Sequence, residues 1–197
     1  MGPILLLTKF VDYIEIHALR ISRWGHVVDA IDYKILAVLQ EDVSASVADV
    51  ASRVGLSQTP CWKRIQKLEA TGVIARRVAI LSPEAVGLGL TVYVSIVVGE
   101  HSEAWLENFT HQINEIPEVV ELYRMAGDVD YMLKVVAADI AQFDEFYKKL
   151  LKISTFKNVA SRFAMERIKS TTALPLNSHL ESCSGHIHRK LPDLAAQ

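Results

Sequence analysis

Two short segments with apolar stripes, joined by a tight Gly-Leu-Ser turn at residues 55–57, constrain the fold of this chain most strongly. The first segment follows Ser46, a residue type that caps helices, and it ends at Gly55, the type that takes the left-handed conformation at a helix exit. The second segment runs from about Ser57 to Ala70. Its stripe, spaced at i, i+4 and i+7, consists of Cys61, Ile65 and Leu68. This arrangement predicts a helix-turn-helix, whose second helix reads the major groove of duplex DNA.

The side of the second helix opposite to its apolar stripe carries polar and cationic side chains. Cationic side chains can engage phosphates or guanine edges, glutamine can pair with adenine, and threonine can reach a phosphate or a thymine methyl group. The N-terminus of such a helix also directs free N–H groups toward a phosphate. The predicted DNA-binding residues are Ser57, Gln58, Thr59, Trp62, Lys63, Arg64, Gln66, Lys67 and, in the segment that follows, Arg76.

A solvated helix surface with no partner is the alternative interpretation of that cationic side, because exposed lysine and glutamine need no ligand. The DNA-binding interpretation is favoured because Glu69 is the only acid in the cluster, whereas the whole chain has a formal net charge of -2. That net charge also excludes a strongly basic protein that coats nucleic acid regardless of sequence. DNA binding must therefore come from this local patch.

The two cysteines, Cys61 and Cys183, lie in different contexts without CxxC spacing, which argues against a disulfide framework, a zinc finger or an iron-sulfur site. Cys61 belongs to the apolar stripe, so we predict a buried core residue rather than a nucleophile or a redox sensor. His186 and His188 form an isolated pair, which is too few ligands for a metal site. We therefore expect no cofactor and no metal, and a reducing cytoplasm as the location. We also expect no membrane partner, because no segment approaches about 20 uninterrupted apolar residues.

The apolar periodicity changes at about residue 82, which predicts two domains. A first helix follows Asp29, and residues 76–81 are predicted to form a connecting strand. Beyond that boundary the pattern predicts strands at 90–98, 119–125, 129–136 and 158–169, with helices after Ser102 and over 140–151. This βαββαβ order indicates an α+β chain with a ferredoxin-like second domain. The predicted organisation is an extension without assigned function (1–27), a helix-turn-helix domain (28–81), a linker (82–89), a ferredoxin-like domain (90–176) and a disordered tail (177–197).

The first strand of the second domain is apolar on both faces. One face carries Leu90, Val92, Val94 and Ile96, and the other carries Tyr93 and Val97. Because the helices of such a fold cover only one face of the sheet, the open face is predicted to form a dimer.

Residues 125–131, Met-Ala-Gly-Asp-Val-Asp-Tyr, form a predicted hairpin turn with two carboxylates and a phenol. One interpretation is a simple turn, because Gly127-Asp128 is ordinary hairpin chemistry. The other is a site for an α-amino acid, since amides at a glycine turn can take a carboxylate and Asp128 or Asp130 can take an ammonium. No histidine, nucleophile or metal ligand accompanies these acids at a useful spacing, so catalysis is not predicted. The candidate effector-binding residues are Met125, Gly127, Asp128, Asp130 and Tyr131.

Seven short motifs are distributed over both predicted domains. They are Asp-Tyr-Lys-Ile-Leu at 32–36, Val-Gly-Leu-Ser-Gln-Thr-Pro-Cys-Trp-Lys-Arg-Ile at 54–65, Lys-Leu-Glu at 67–69, Gly-Val-Ile at 72–74, Gly-Asp-Val-Asp-Tyr at 127–131, Met-Glu at 165–166 and Thr-Thr-Ala-Leu-Pro-Leu at 171–176. Together they resemble the Lrp/AsnC family, the leucine-responsive and asparagine-responsive regulators of bacteria and archaea. The resemblance covers about residues 28–176, and the segments 1–27 and 177–197 are additions to the family's usual length.

The resemblance implies a winged helix-turn-helix followed by an effector domain that dimerises through its sheets, with dimers assembling into rings such as octamers. It also implies that an amino acid binds between dimers near the turn at 127–131. The sequences Cys-Trp-Lys-Arg at 61–64 and Gly-Leu-Gly-Leu-Thr at 87–91 look most like those of a branch of the family that senses cysteine. Cysteine or another small amino acid is therefore the expected effector.

The sequence therefore predicts a cytoplasmic, homo-oligomeric, sequence-specific DNA-binding transcriptional regulator that responds to an amino acid and is not an enzyme. One rival is a global DNA-bending, chromatin-like protein, for which affinity would be insensitive to sequence. A rival from another class is an amino-acid-binding module or enzyme built on a ferredoxin-like dimer, because fold alone does not fix function.

Overall fold

The computed structural model describes residues 28–99 and 102–176, and they form two compact units. The first unit consists of residues 28–79 together with 169–176, and the second consists of Ile80–Ile168. The predictions for residues 1–27 and 177–197, including Cys183 and the histidine pair, lie outside the described residues. Among the described helices, none is long and apolar enough to cross a membrane.

Three helices form the first unit: α1 at Ala30–Glu41, α2 at Val47–Val54 and α3 at Gln58–Ala70. Local capping explains where the first two begin, because Asp29 and Ser46 each form a capping box with an aspartate three residues later. Gly55 ends α2 in the left-handed conformation at φ 75°, which glycine adopts without steric cost. The predicted helix-turn-helix is confirmed at these positions.

The core of the first unit lies between the three helices. Its fully or almost fully buried residues are Ile35, Val50, Ala51, Cys61, Ile65 and Leu68. Cys61 is a free thiol with no exposed surface, and burial raises the pKa of that thiol. The position of Cys61 in this cluster confirms the prediction of a core cysteine, and the raised pKa disfavours a reactive thiolate.

The predicted strand at 76–81 is wrong. These residues take part in no strand pairing of the described chain, whose single sheet contains only four strands, all from the second unit. Val78 and Ile80 are 58% and 72% exposed, so their side chains have no apolar surface to cover them. Alternating apolar residues favour a strand only when a neighbouring strand supplies its hydrogen bonds, and none does so here.

The second unit has the predicted order βαββαβ. Its elements are β1 at Leu90–Val98, α4 at Glu103–Asn114, β2 at Val119–Arg124, β3 at Tyr131–Ala137, α5 at Ile140–Ile153 and β4 at Phe156–Phe163, with a short 3-10 turn at Glu84–Val86 before them. All neighbouring strands are antiparallel in the order β2-β3-β1-β4, which confirms the ferredoxin-like fold. The last strand ends six residues before the predicted end at 169, because residues 164–170 form no ladder.

The helices cover one face of this sheet. Its buried side chains are Val92, Val94, Ile96 and Val98 from β1 and Tyr131, Leu133, Val135 and Ala137 from β3. Phe109 and Ile113 from α4 and Phe143, Phe146 and Leu150 from α5 pack against them. On the opposite face, Tyr93 is exposed, as the alternation of β1 predicts.

The end of the described chain packs on the first unit rather than the second. The side-chain amide of Gln40 donates to the carbonyl oxygen of Leu174 at 2.9 Å, and its oxygen accepts from the Leu174 N–H at 2.9 Å. Residues 169–176 therefore pack with the first unit, and the predicted boundary of the second domain at 176 stays a prediction.

Candidate nucleic-acid interface and ligand-binding turn

The outward face of α3 consists of polar side chains opposite the buried stripe of Cys61, Ile65 and Leu68. Gln58, Thr59, Trp62, Lys63, Gln66 and Lys67 are all exposed. Trp62 is 51% exposed, so its indole is accessible to a partner. The helix thus presents the predicted residues together on one surface.

The N-terminus of α3 retains its capacity to bind an anion. Ser57 occupies the N-cap position, but its side chain makes no capping hydrogen bond, and the first turn contains no acidic residue. The first N–H groups of a helix have no partner within the helix, and their dipoles favour a negative charge. Ser57 and the N–H groups of Gln58 and Thr59 are therefore available for a phosphate oxygen.

Glu69 is the acid of this surface, and two neighbouring side chains bind it. Arg77 Nη2 lies 2.8 Å from Glu69 Oε1, and Gln66 Nε2 donates to Glu69 Oε2 at 3.1 Å. The arginine compensates the negative charge of Glu69, so the lysines of α3 keep a positive local potential. The side-chain NH2 of Gln66 is therefore already engaged by Glu69 and would have to serve a second acceptor, or leave Glu69, to contact DNA.

Arg64 differs from the other predicted DNA-binding residues, because its guanidinium is bound to acids of α1. The Nη1 nitrogen lies 2.6 Å from Asp29 Oδ2 and 2.7 Å from Asp32 Oδ1. These hydrogen bonds raise the pKa of Arg64. Burial on its own would raise the pKa of Asp29, but the Asp32 N–H and Arg64 bind its carboxylate and hold that pKa below its usual value.

Asp29 and Asp32 were not among the sequence-predicted site residues. A signal for their role exists, because Asp29 and Asp32 have the spacing of a capping box at the start of a helix. The ion pair itself joins residues 32 positions apart in the sequence, and no local pattern announces it.

Arg76 is exposed and lies at a groove of about 440 Å³ on the first unit. The groove is lined mainly by apolar side chains of α1, of residues 73–75 and of the returning segment, among them Leu36, Leu39, Val73 and Leu174. Arg76 therefore borders an apolar surface, and its predicted contact with DNA stays a prediction.

The turn between β2 and β3 is closed by backbone bonds and by one carboxylate. The Met125 N–H donates to the Asp130 carbonyl oxygen at 2.8 Å, and the Asp130 N–H donates to the Ile96 carbonyl oxygen at 2.9 Å. Asp130 Oδ2 also accepts from the Val98 N–H at 3.0 Å. Gly127 has φ 135°, a conformation that favours glycine, so the turn depends on that residue.

The predicted effector-binding residues divide into two groups. Met125, Gly127 and Asp128 are exposed, whereas Asp130 is half-buried and bound to the end of β1. Tyr131 belongs to the core: it is 4% exposed, and its ring lies 5.1 Å from Phe109 and 5.9 Å from Trp105, measured between centroids. Burial raises the pKa of the Tyr131 phenol. Its inward direction follows from the alternation of β3, which the turn motif obscured.

Within residues 28–99 and 102–176, no three histidine, cysteine, aspartate or glutamate side chains lie together in a group that could hold a metal ion. The turn offers exposed backbone, one exposed carboxylate at Asp128 and a methionine side chain instead. This combination fits a small zwitterion better than a cation.

Both units match protein domains of known type. Residues 28–69 match the AsnC-type helix-turn-helix domain, and residues 91–174 match the Lrp/AsnC ligand binding domain. The chain belongs to the Lrp/AsnC family. This confirms the resemblance that the sequence motifs carry.

Relatives within the Lrp/AsnC family match along nearly their whole length. The DNA-binding transcriptional activator DecR of Escherichia coli K12 is 46% identical over 150 residues, which are 76% of this chain and 99% of the relative. A crystal structure of an AsnC family transcriptional regulator from Agrobacterium tumefaciens is 55% identical with a TM-score of 0.74, and the match covers 76% of this chain and 98% of that one. A transcriptional regulator of Neisseria meningitidis, solved as an L-Met complex, is 34% identical with a TM-score of 0.73, over 78% of this chain and 99% of that one.

Membership in the Lrp/AsnC family makes the first unit the DNA-binding part of a transcriptional regulator and the second unit a ligand-binding domain. The predicted class of protein is thereby confirmed. The contacts that individual side chains make with DNA and with the ligand remain predictions.

Proposed function

We propose that this protein is a sequence-specific transcriptional regulator whose α3 helix reads the major groove of duplex DNA and whose binding responds to an amino acid. The observation that carries the proposal is the outward face of α3, on which Thr59, Lys63 and Lys67 are exposed while the opposite stripe is buried. These three residues follow one another at steps of four. They therefore span about 12 Å of helix axis, comparable with the width of the major groove, about 12 Å.

Different side chains of this surface take different roles. Lys63 and Lys67 engage phosphates or guanine edges, and Ser57 with the helix N-terminus holds a phosphate. Gln66 and Thr59 read base edges, since an amide can pair with adenine and a threonine methyl can contact thymine. Trp62 rests on the sugar-phosphate backbone, where its indole N–H serves a phosphate.

The open face of the sheet pairs two copies of the chain, and pairs assemble further into a ring such as an octamer. Polar side chains on that face are already hydrogen-bonded within the chain: Arg162 Nη1 donates to Ser95 Oγ at 2.8 Å, and Lys134 Nζ to Glu121 Oε1 at 2.8 Å. The charge of Lys134 is therefore already paired, whereas Arg162, which donates to a neutral hydroxyl, would need an acceptor from the second copy when the face is covered. The dimer then presents two α3 helices to the half-sites of a pseudo-palindromic operator.

The effector is an amino acid bound at the turn between β2 and β3. The turn around Gly127 supplies backbone N–H groups for its carboxylate, Asp128 receives its ammonium, and Met125 contacts its side chain. The ligand of the Neisseria meningitidis relative, L-Met, is an amino acid, and cysteine is the other candidate. Asp130 and Tyr131 hold the turn in place from beneath, because the carboxylate is bound to β1 and the ring is in the core. The mechanism needs no catalysis, and the proposed location is the cytoplasm, where DNA is the partner.

Selection from a randomised duplex library tests the DNA-binding proposal, with bound duplexes sequenced and then footprinted. We expect enrichment of a pseudo-palindrome. Binding that is equally strong to every duplex would instead favour a global DNA-bending protein. A thermal-shift screen with the twenty amino acids tests the effector, because a ligand at about 100 times its Kd stabilises the native state by about 2.7 kcal/mol. If no amino acid shifts the melting temperature, the proposal of an amino-acid effector is rejected. If the protein instead converts an amino acid to a product, the rival interpretation as an enzyme is favoured.

A further inference from the structure

Arg64 lies on α3 between Lys63 and the buried Ile65, yet its guanidinium reaches the first turn of α1. One nitrogen, Nη1, donates to both Asp29 Oδ2 and Asp32 Oδ1, at 2.6 Å and 2.7 Å. This is a direct link between the helix proposed to read DNA and the helix that begins the unit.

Backbone N–H groups also hold the two acids, independently of Arg64. Asp29 Oδ1 accepts from the N–H groups of Ile31 and Asp32, and Asp32 Oδ2 accepts from the Asp29 N–H. The remaining oxygen of each carboxylate faces Arg64. The capping box of α1 thus holds both acceptors in one orientation, and the arginine closes the arrangement.

The side chain of Asp32 is 5% exposed, so its charge has almost no water to stabilise it. A buried carboxylate requires a cationic or hydrogen-bonding partner, and Arg64 supplies one. Moving Arg64 from this position to a DNA phosphate would leave Asp32, among the partners within residues 28–99 and 102–176, with only the Asp29 N–H. The contact with α1 is therefore favoured over a contact with DNA.

From this geometry we propose that Arg64 is a positioning residue, which fixes the rotation of α3 about its own axis against α1 and does not contact DNA. The proposal rests on the proposed DNA-binding function. The buried stripe of Cys61, Ile65 and Leu68 is nondirectional and permits small rotations, whereas a hydrogen-bonded ion pair does not. A rotation of about 20° moves a side-chain tip by about 2 Å at a radius of about 6 Å, enough to break a hydrogen bond to a base.

The test compares Arg64→Gln with Lys63→Gln, a matched loss of one charge at the adjacent position. Binding is measured on a duplex selected with the wild-type chain, over a series of salt concentrations. Lys63→Gln should lower the slope of log K against log salt by about 1, as expected for a lost phosphate contact. Arg64→Gln should keep the wild-type slope while affinity falls about tenfold at every salt concentration, which corresponds to about 1.4 kcal/mol.

The double variant Arg64→Gln with Asp32→Asn removes the stranded buried charge and guards against loss of folding. It should regain most of the affinity and the thermal stability, because two amides can hydrogen-bond where the ion pair stood. Asp32→Asn alone should also keep the salt slope. A slope that falls with Arg64→Gln and is not restored in the double variant would identify Arg64 as a phosphate contact and overturn the positioning role.

Failure of the proposed function is distinguishable from that result. If selection with the wild-type chain enriches no duplex, the DNA-binding proposal fails, and the positioning role is overturned with it. If duplexes are enriched and only the slope test fails, the positioning role alone is overturned.

Discussion

Asp130 Oδ2 accepts a hydrogen bond from the Val98 N–H at 3.0 Å, which joins the turn after β2 to the last residue of β1. The neighbouring acid Asp128 is exposed and lies two residues away on the same turn. The same motif therefore contains one carboxylate that binds the backbone of β1 and one that is exposed to solvent.

Substitution of these two acids should separate stability from effector binding. Asp130→Ala should lower the free energy of unfolding by about 1.5–3 kcal/mol, the usual contribution of a hydrogen bond to a charged group. Asp128→Ala should leave stability within about 0.5 kcal/mol and abolish the thermal shift produced by the effector amino acid. Urea unfolding and the amino-acid screen measure the two effects. Equal destabilisation by both substitutions would contradict this division.

Tyr131 should behave as a core residue. Tyr131→Phe should retain the effector-induced thermal shift, because the ring packs against Phe109 and Trp105 rather than at the turn surface. Tyr131→Leu removes these ring contacts and should cost about 2–4 kcal/mol of unfolding free energy. Chemical denaturation of the two variants provides the comparison. Loss of the ligand response in a stable Tyr131→Phe chain would show that the phenol binds the effector.

The two lysines of α3 should dominate the electrostatic part of DNA binding. Lys63→Ala with Lys67→Ala should lower the slope of log K against log salt by about 2, since each phosphate contact contributes about 0.9. Lys148→Ala with Lys149→Ala, two exposed lysines of α5, is the control with the same change in charge. Fluorescence anisotropy with a labelled duplex gives both slopes. An equal effect of the control pair would mean that α3 is not the binding surface.

The ion pair of Asp29 with Arg64 should make the free energy of unfolding depend on pH in the acidic range. The pKa of Asp29 is lower in the folded chain than its ordinary value of 3.8. Its contribution is therefore fully present above about pH 3.8 and is lost as the pH falls through the folded pKa. Asp29→Asn keeps a good capping residue but removes the titrating group. Its stability deficit should be constant at neutral pH and shrink below pH 3.8, as followed by denaturation at several pH values.

The paired bonds between Gln40 and Leu174 should hold the returning segment. Gln40→Met should cost about 1–2 kcal/mol, the sum expected for two partly exposed hydrogen bonds, while keeping the apolar stem. Hydrogen exchange at the Leu174 N–H should accelerate at the same time. Gln142→Met, on α5, is a control that leaves the first unit intact. Unchanged exchange at Leu174 would mean that the segment is held by its apolar side chains alone.

Local signals predicted the helices and most strands because the physics that forms them is local. Ser46 and Gly55 define α2 through capping and backbone conformation, and the period of β1 follows from burial on one face. The predicted strand at 76–81 is wrong because an apolar pattern cannot reveal whether a partner strand exists. Tyr131 ends the Gly-Asp-Val-Asp-Tyr motif, whose turn signal does not reveal that the alternation of β3 places its ring inside.

The contacts between distant residues were not predictable in this way. Arg64 appears in the sequence as one more cation on an exposed helix edge, and only the fold brings it to Asp32. Likewise, the return of residues 169–176 to the first unit depends on where β4 ends. Site residues on a regular helix face were therefore easier to predict than those whose role depends on a long-range pair.

The return of residues 169–176 also affects how the protein is made. A chain emerges from the ribosome from its N-terminus, and domains generally fold as they appear. Here α1, α2 and α3 are synthesised first, but the segment that bonds to Gln40 is synthesised after the whole ferredoxin-like unit. The helix-turn-helix unit therefore gains residues 169–176 only after the whole ferredoxin-like unit has been synthesised, so a nascent chain interrupted between the two units has the three helices without the segment that binds Gln40.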